Sequence, residues 1–291
     1  MEAASYHRPW WYRGRHLQTL WGPLLRRFAR VPLRRERVHT PDGDFLDLDW
    51  VDVPPARAPL VLILHGLEGS SRSHYVSGLL KETVALGLRG VVLNFRSCSG
   101  ELNRAPRLYH SGETSDLDRV IGRLLQREPS LRLGLVGVSL GGNVALKWLG
   151  ERGEAAPGQV AAAVAISTPY DLAACAGVLD RGLPRALYTR QFLRTLKAKV
   201  RAKARLYDGR VDRRRAAGAH VPRVRPARDR APPRLRRRAR LLDAVQQRCL
   251  SPGDPATVSR DQRAQRSVHA ALRAAAGGRR TVALARGAVS P

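Results

Sequence analysis

The stretch LVGVSLGGN (135–143) carries a candidate nucleophile, Ser139, between Gly137 and Gly141. A serine hydroxyl can attack a carbonyl carbon when a sharp turn displays it and a base removes its proton. Flanking glycines allow such a turn because they lack the Cβ that would collide with nearby backbone. The same pattern also suits a glycine-rich connection whose serine caps a helix, so the surrounding elements must decide between the two.

Acyl transfer also needs hydrogen-bond donors where negative charge develops on the carbonyl oxygen. Leu140, directly after the serine, offers the first candidate backbone N–H group. The second candidate is the N–H group of Leu67, which follows an apolar run ending at His65 and Gly66. His65 is a possible base, but an HG pair at a strand end favours a role in shaping the loop.

Buried strands and flanking helices are needed to position these residues. Continuous apolar runs predict strands that are buried on both faces of a parallel sheet, and they lie at 59–67, 88–97, 131–139 and 159–167. Segments with apolar residues at helical spacing lie between them, at 71–87, 112–128 and 142–153. The alternation predicts a doubly wound, mostly parallel α/β sheet, preceded by an antiparallel hairpin over 34–52.

Positive charge is concentrated in the last third of the chain. The 291 residues carry a net charge of +28, and residues 201–291, with 24 basic and six acidic side chains, carry +18 of it. From Gly209 to Pro291, Arg, Ala, Pro and Gly make up 51 of 83 residues, and Phe, Trp, Tyr, Ile, Met, Lys, Glu and Asn are absent. Because this segment has little large apolar surface to bury, we expect disorder or loose helical fragments, and no strands, there.

Two explanations of the segment 209–291 compete. One is a basic tail that binds nucleic acid or an anionic membrane. The other is a GC-rich coding sequence read in a shifted frame, which would generate Arg, Ala, Pro and Gly. The loss of Lys together with Glu favours the shifted frame and makes nucleic acid a less favoured partner. We therefore expect an incomplete folded domain at 1–208, ending in a lid-like basic helix over 183–208, and a separate segment at 209–291.

Several long motifs resemble the YheT-like family of α/β-hydrolase fold proteins, which is related to α/β-hydrolase domain-containing esterases and lipases. They are HGLEGSSRSHYVSGL (65–79), NFRSCSGELNRAPRLYHSGETSDL (94–117), GVSLGGNVALKWLGE (137–151) and RGRHLQTLW (13–21). The resemblance covers about residues 6–208. It implies an α/β-hydrolase fold and a Ser, Asp, His relay with Ser139 as nucleophile. It also implies small-molecule or lipid-like carboxylic esters as substrates, with no metal or organic cofactor. One departure is Ser97, where the family more often has Gly.

The relay partners of Ser139 are not identifiable. The resemblance implies later strands near an Asn-Asp-Pro and a Gly-Gly-His element, and neither element occurs in 209–291. Asp243, Asp254 and Asp261 precede His269 in the required order but lack adjacent apolar strands, and Asp171 is an alternative acid. The acid and base stay unassigned, so the expected esterase is impaired if no partner reaches Ser139. The rival interpretation is a noncatalytic hydrolase-like binding protein with a basic tail.

Other features favour a cytoplasmic protein with free thiols. Cys98, Cys175 and Cys249 match no metal-binding spacing and suit a reducing compartment. The N-terminus has no apolar core of signal-peptide length, and no apolar run is long enough to span a membrane. The tryptophans near the N-terminus either form a peripheral membrane patch or pack an N-terminal arm onto the core; they are Trp10, Trp11 and Trp21.

Overall fold

The computed structural model describes residues 31–51, 57–172, 175, 190–207 and 281–285. The chain divides into two units. The first contains the described residues through Thr168 together with 281–285, and the second contains the described residues from Pro169 to 207. Ser139 and both candidate backbone donors lie in the first unit.

The first described residues form the predicted antiparallel hairpin. Strand β1 (Arg34–His39) pairs with strand β2 (Phe45–Val51), and every residue of β2 is buried. The connecting turn includes Gly43 with φ 72°, a left-handed conformation that glycine adopts without strain.

Parallel strands form the centre of the sheet, and all of them are largely buried. They are β3 (Leu60–Leu64), β4 (Arg89–Asn94), β5 (Leu133–Val138) and β6 (Val160–Ile166). β3 lies between β4 and β5, β6 pairs with β5, and β2 runs antiparallel to β4. Because the four strands are parallel, their carboxyl ends meet at one edge of the sheet, the usual place for a ligand site.

Helices contribute to apolar cores on both faces of the sheet. They are α1 (His74–Ala85), α2 (Ser115–Arg127) and α3 (Leu140–Arg152). Leu62 of β3 belongs to a core that includes Leu117 of α2 and Trp148 of α3, whereas the next residue, Ile63, belongs to a core that includes Val76 of α1. The predicted doubly wound, mostly parallel sheet is confirmed.

The prediction that no strand follows residue 208 was wrong at Thr281–Ala285. These residues form β7, which pairs in parallel with β6 from Ala162 opposite Thr281 to Ile166 opposite Ala285. The described sheet therefore has the order β1-β2-β4-β3-β5-β6-β7. The prediction was based on the composition of all 83 residues. Within them, the short stretch TVALA has neither charge nor proline and is long enough for a strand. The rest of 209–291 lies outside the described residues.

In the second unit, the predicted basic helix is observed as α4 (Arg190–Leu206), which carries seven Lys and Arg and no Asp or Glu. Its predicted start at residue 183 lies outside the described residues, and its lid-like role stays a prediction. None of the helices in the described part of the chain is long and apolar enough to cross a membrane.

Candidate active site

Ser139 lies on the turn between β5 and α3, at the edge where the parallel strands end. Its backbone has φ 52° and ψ −116°, a left-handed conformation that costs a residue other than glycine about 1–2 kcal/mol. Its N–H donates to the Ile166 carbonyl oxygen (2.8 Å), and its carbonyl oxygen accepts from the N–H groups of Gly142 (2.9 Å) and Asn143 (3.2 Å). Neighbouring backbone thus fixes the turn that displays this half-buried serine.

Close backbone approaches require the glycines around Ser139. A Cβ on Gly137 would lie 2.5 Å from the Gly141 carbonyl oxygen, and a Cβ on Gly141 would lie 2.7 Å from the His65 carbonyl oxygen. A Cβ on Gly142 would overlap the Thr168 hydroxyl. Since a close-packed interior cannot absorb such contacts without moving backbone, these glycines let α3 begin directly against the end of β3.

The loop that follows β3, residues 65–69 (the β3 loop), passes beside Ser139. Leu64 pairs with Gly137 in parallel register, so the residues after both strands emerge side by side. A Cβ on Gly66 would lie 3.4 Å from the Ser139 Cβ, which places the backbone before Leu67 in contact range of the candidate nucleophile.

Within the described residues, neither the Leu67 N–H nor the Leu140 N–H at this edge has a hydrogen-bond acceptor. In the β3 loop, the N–H groups of Gly66, Glu68 and Gly69 all donate to protein acceptors. Leu140 is the first residue of α3, and N–H groups of a first helical turn lack partners inside the helix and attract negative charge. Both donors expected from the sequence therefore lack an acceptor among the described residues, and both lie close to Ser139 in the fold.

His65 is fully buried, and both of its ring nitrogens bind backbone groups. The Phe95 N–H donates to Nε2 (3.1 Å), so Nε2 is unprotonated and Nδ1 carries the hydrogen that it donates to the Gly66 carbonyl oxygen (2.8 Å). This neutral imidazole shapes the β3 loop, in agreement with the role that the HG pair favoured.

A buried ionic cluster holds the loop after β4, residues 95–109 (the β4 loop). Arg96, which is 2% exposed, pairs with both carboxylate oxygens of Asp116 (2.7 Å each) and donates to Asp44 (2.5 Å) in the hairpin. Asp44 also accepts from the Asn103 side chain (2.6 Å) and the Arg104 backbone N–H (2.6 Å). Because these polar groups bind one another, they support the loop and do not face a ligand.

Hydrogen bonds keep the buried Asp44 carboxyl ionised. Burial alone would raise its pKa, but donors from the Asn103 side chain and from the backbone N–H groups of Arg104, Phe45 and Ala105 stabilise the charged form and lower the pKa to about 2. At neutral pH, Asp44 is therefore a charged partner for Arg96 although it is 0% exposed.

Ser97 forms its turn without the glycine that the family more often has there. It adopts φ 64°, and its hydroxyl donates to Asn103 Oδ1 (2.6 Å) while accepting the Asn103 N–H (3.1 Å). These two bonds hold a left-handed serine in place and join the start of the β4 loop to its middle.

Comparison with known proteins assigns the family. A family model described as alpha/beta hydrolase fold matches residues 59–190. YheT of Escherichia coli (strain K12), a protein named as an esterase, is 40% identical over 236 residues, which cover 80% of this chain and 68% of YheT. The chain belongs to the YheT-like family of α/β hydrolases.

Two further comparisons are more distant. Phospholipase ABHD3 of Homo sapiens is 31% identical over 214 residues, which cover 71% of this chain and 52% of that protein. The solved esterase Pf2001 of Pyrococcus furiosus has 23% identity and a TM-score of 0.44, covering 55% of this chain and 61% of that one. This chain therefore spans about two thirds of YheT and about half of ABHD3.

The relay acid and base of this α/β hydrolase stay unassigned. Within the part of the chain that the structure describes, no hydrogen bond joins the Ser139 hydroxyl to a histidine. Asp171 is exposed and belongs to the second unit. The remaining candidates lie outside the described residues, and they are Asp243, Asp254, Asp261 and His269.

Metal-binding side chains do not cluster in the described ranges, where no group of three or more His, Cys, Asp or Glu could hold a metal ion. Cys98 and Cys175 form no disulfide bond within the described residues. Cys249 and the three N-terminal tryptophans lie outside the described residues.

Two tyrosines that contact the β3 loop were not predicted from the sequence. Tyr75 accepts the Gly66 N–H (2.8 Å), and Tyr109 accepts the Glu68 N–H (2.7 Å). Tyr109 lies 41 residues from Glu68, and hydrophobic periodicity carries no information about so distant a polar contact. Its place in the family-like motif at 94–117 was the available signal.

Proposed function

We propose that this chain is a serine hydrolase of carboxylic esters that works through an acyl-enzyme on Ser139. The Ser139 hydroxyl oxygen attacks the ester carbonyl carbon, its proton passes to a base, and the alcohol leaves with a proton as the acyl group becomes bound to Oγ. Water then attacks the acyl group, which releases the carboxylic acid and restores the hydroxyl. No cofactor is required by this sequence of steps.

The observation that carries the proposal is the left-handed turn at Ser139, at the same sheet edge as the Leu67 and Leu140 N–H groups, which have no acceptor among the described residues. In this proposal the Leu67 and Leu140 N–H groups bind the oxyanion that forms on the carbonyl oxygen. Loss of one such donor typically lowers kcat by about 10²–10³. The two donors come from different strand ends, so the sheet register fixes their separation.

The named activities of the relatives support an ester substrate. YheT is named as an esterase and ABHD3 as a phospholipase, and esters of fatty acids are substrates that both names allow. We therefore infer a small-molecule or lipid-like carboxylic ester for this chain. A cytoplasmic location also stays a prediction.

The strength of the activity depends on the unassigned relay. A serine without base and acid keeps only the contribution of the oxyanion donors and substrate binding, about 10³–10⁴ over water in serine proteases. A partner histidine from the residues outside the described ranges would restore full activity, and its absence would leave the impaired enzyme that the sequence suggests.

A fluorophosphonate probe tests the proposal directly, because it labels only an activated serine. We expect one label per wild-type chain, located on Ser139 by mass spectrometry, and no label in Ser139→Ala. Ser167→Ala is the matched control, since Ser167 follows the neighbouring strand β6, is exposed and has a similar φ of 51°. An unlabelled wild-type chain, or a label retained in Ser139→Ala, would contradict the proposal.

The alternative function, a noncatalytic protein with a basic tail, is favoured by the net charge of +18 in residues 201–291. It predicts that the full chain binds single-stranded RNA or anionic vesicles with an affinity that falls steeply as salt rises. Such binding in a chain without probe labelling would support this alternative, whereas labelling without binding would exclude it as the main role.

A further inference from the structure

Tyrosine hydroxyls from two distant segments hold the β3 loop on either side of Leu67. The Gly66 N–H donates to the Tyr75 hydroxyl (2.8 Å), and the Glu68 N–H donates to the Tyr109 hydroxyl (2.7 Å). The Tyr109 hydroxyl in turn donates to Oε1 of Glu68 (2.7 Å). The N–H groups of the residues before and after Leu67 are thus both hydrogen-bonded, while the Leu67 N–H itself has no acceptor among the described residues.

The β3 loop needs such anchoring because its backbone is strained. Glu68 has φ 55°, and a residue other than glycine stays in this region only when its surroundings hold it there. Tyr109 binds both the backbone N–H and the side-chain carboxylate of Glu68, so one hydroxyl fixes the strained residue at two points. Removal of that hydroxyl would free the loop to leave this conformation.

Burial and ring stacking hold the Tyr109 side chain in place. It is 8% exposed, and its ring stacks on Phe95 with centroids 5.3 Å apart and planes 6° from parallel. Burial raises the pKa of the phenol, so it carries the proton that it donates to Glu68 at neutral pH. Two residues earlier, the Arg107 carbonyl oxygen accepts from Asn103 (2.9 Å), which connects this part of the β4 loop to the ionic cluster.

We propose that Tyr109 is a positioning residue which, together with Tyr75, keeps the Leu67 N–H group in place beside Ser139. The catalytic meaning of this role rests on the function proposed above, because an oxyanion donor is effective only when it is held in position before the reaction. The ionic cluster then acts on the site through Tyr109, although its own charges do not face a ligand.

The test uses the full chain and conservative variants that remove one hydroxyl each. Tyr109→Phe keeps the ring on Phe95, Tyr75→Phe removes the other anchor, and Tyr170→Phe, at a half-exposed tyrosine in the second unit, is the matched control. Amide hydrogen exchange of a peptide covering 65–69 is measured by mass spectrometry, together with melting temperature and the rate of fluorophosphonate labelling. For a soluble ester, kcat and KM are determined separately.

We expect Tyr109→Phe and Tyr75→Phe to accelerate exchange in 65–69 and to slow labelling about tenfold, with kcat reduced and KM nearly unchanged. The control should match the wild type in all readouts. Unchanged exchange in both variants would overturn the inference, and so would faster exchange with an unchanged labelling rate. A wild-type chain that takes no label would overturn the proposed function alone, and the exchange comparison would then decide by itself whether the tyrosines hold the loop.

Discussion

Ser97 and Ser139 follow two parallel strands, and both have a positive φ, but their hydroxyls are in opposite hydrogen-bonding states. Their φ angles are 64° and 52°, and β4 and β5, which they follow, flank the same central strand. The Ser97 hydroxyl both donates to and accepts from Asn103. The Ser139 hydroxyl has no such partner among the described residues, and neither do the Leu67 and Leu140 N–H groups at the same sheet edge.

The contrast shows that backbone strain alone does not identify a reactive residue at this edge. Each of the strands β3 to β6 is followed within four residues by a non-glycine residue of positive φ, and these residues are Glu68, Ser97, Ser139 and Ser167. After each of these four strands, the chain therefore leaves the sheet edge through a turn that contains a strained residue. What separates a supporting turn from a candidate site is whether its donors and acceptors are already satisfied.

The largest expected effect is a loss of stability in Arg96→Ala, which removes the centre of the ionic cluster that holds the β4 loop and its supporting turn at Ser97. The substitution leaves the buried Asp44 without its cation and removes the two bonds of Arg96 to Asp116, which keeps its contact with Arg107 (3.1 Å). Breaking a buried pair typically costs about 3–5 kcal/mol, so we expect a loss of about 3–4 kcal/mol in the free energy of unfolding. Urea unfolding followed by circular dichroism measures it. Arg104→Ala is the control, since that side chain is exposed and its backbone N–H, which binds Asp44, is retained. A loss of less than 1 kcal/mol in Arg96→Ala would show that the cluster is not what holds the β4 loop.

A smaller effect on stability and a large one on labelling are expected from Gly141→Ala. The new Cβ meets the His65 carbonyl at 2.7 Å, and such overpacking typically costs about 1–3 kcal/mol while displacing α3 and the Leu140 N–H from Ser139. We expect labelling to slow at least tenfold. Gly150→Ala lies in the same helix with nothing within 4 Å of its Cβ, so it should raise stability by about 0.5–1 kcal/mol and label normally. Equal behaviour of the two variants would contradict the requirement for glycine at the turn.

Much of the first unit could be predicted because its signals are local. Continuous apolar runs identified β3 to β6, and the glycine pattern located the turn at Ser139, since both depend on residues close together in sequence. The contacts of the β4 loop could not be predicted in this way. Asp44 meets Arg96 across 52 residues, and Tyr109 meets Glu68 across 41, so only the folded chain brings these polar groups together.

β7 was missed for a different reason. Its five residues carry an ordinary strand signal, but they lie in a segment whose overall composition argues against order. Backbone pairing with β6 gives TVALA an edge on which to form, and such tertiary support overrides weak local preference. The relay partners were sought in the same segment, and their assignment stays open.

The smallest expected effect is a difference in stability between glycine and alanine variants at Ser97 and at Ser139. It compares the two serines directly. Glycine removes the cost of a positive φ, so Ser97→Gly should be about 1 kcal/mol more stable than Ser97→Ala, and Ser139→Gly more stable than Ser139→Ala by a similar amount. Relative to the wild type, only Ser139→Gly should gain stability, because Ser97→Gly also loses two hydrogen bonds with Asn103. Paired chemical denaturation curves measure these differences. A gain at Ser97 as large as that at Ser139 would mean that its hydroxyl contributes nothing to the turn, and the distinction between a satisfied and an unsatisfied serine would fail.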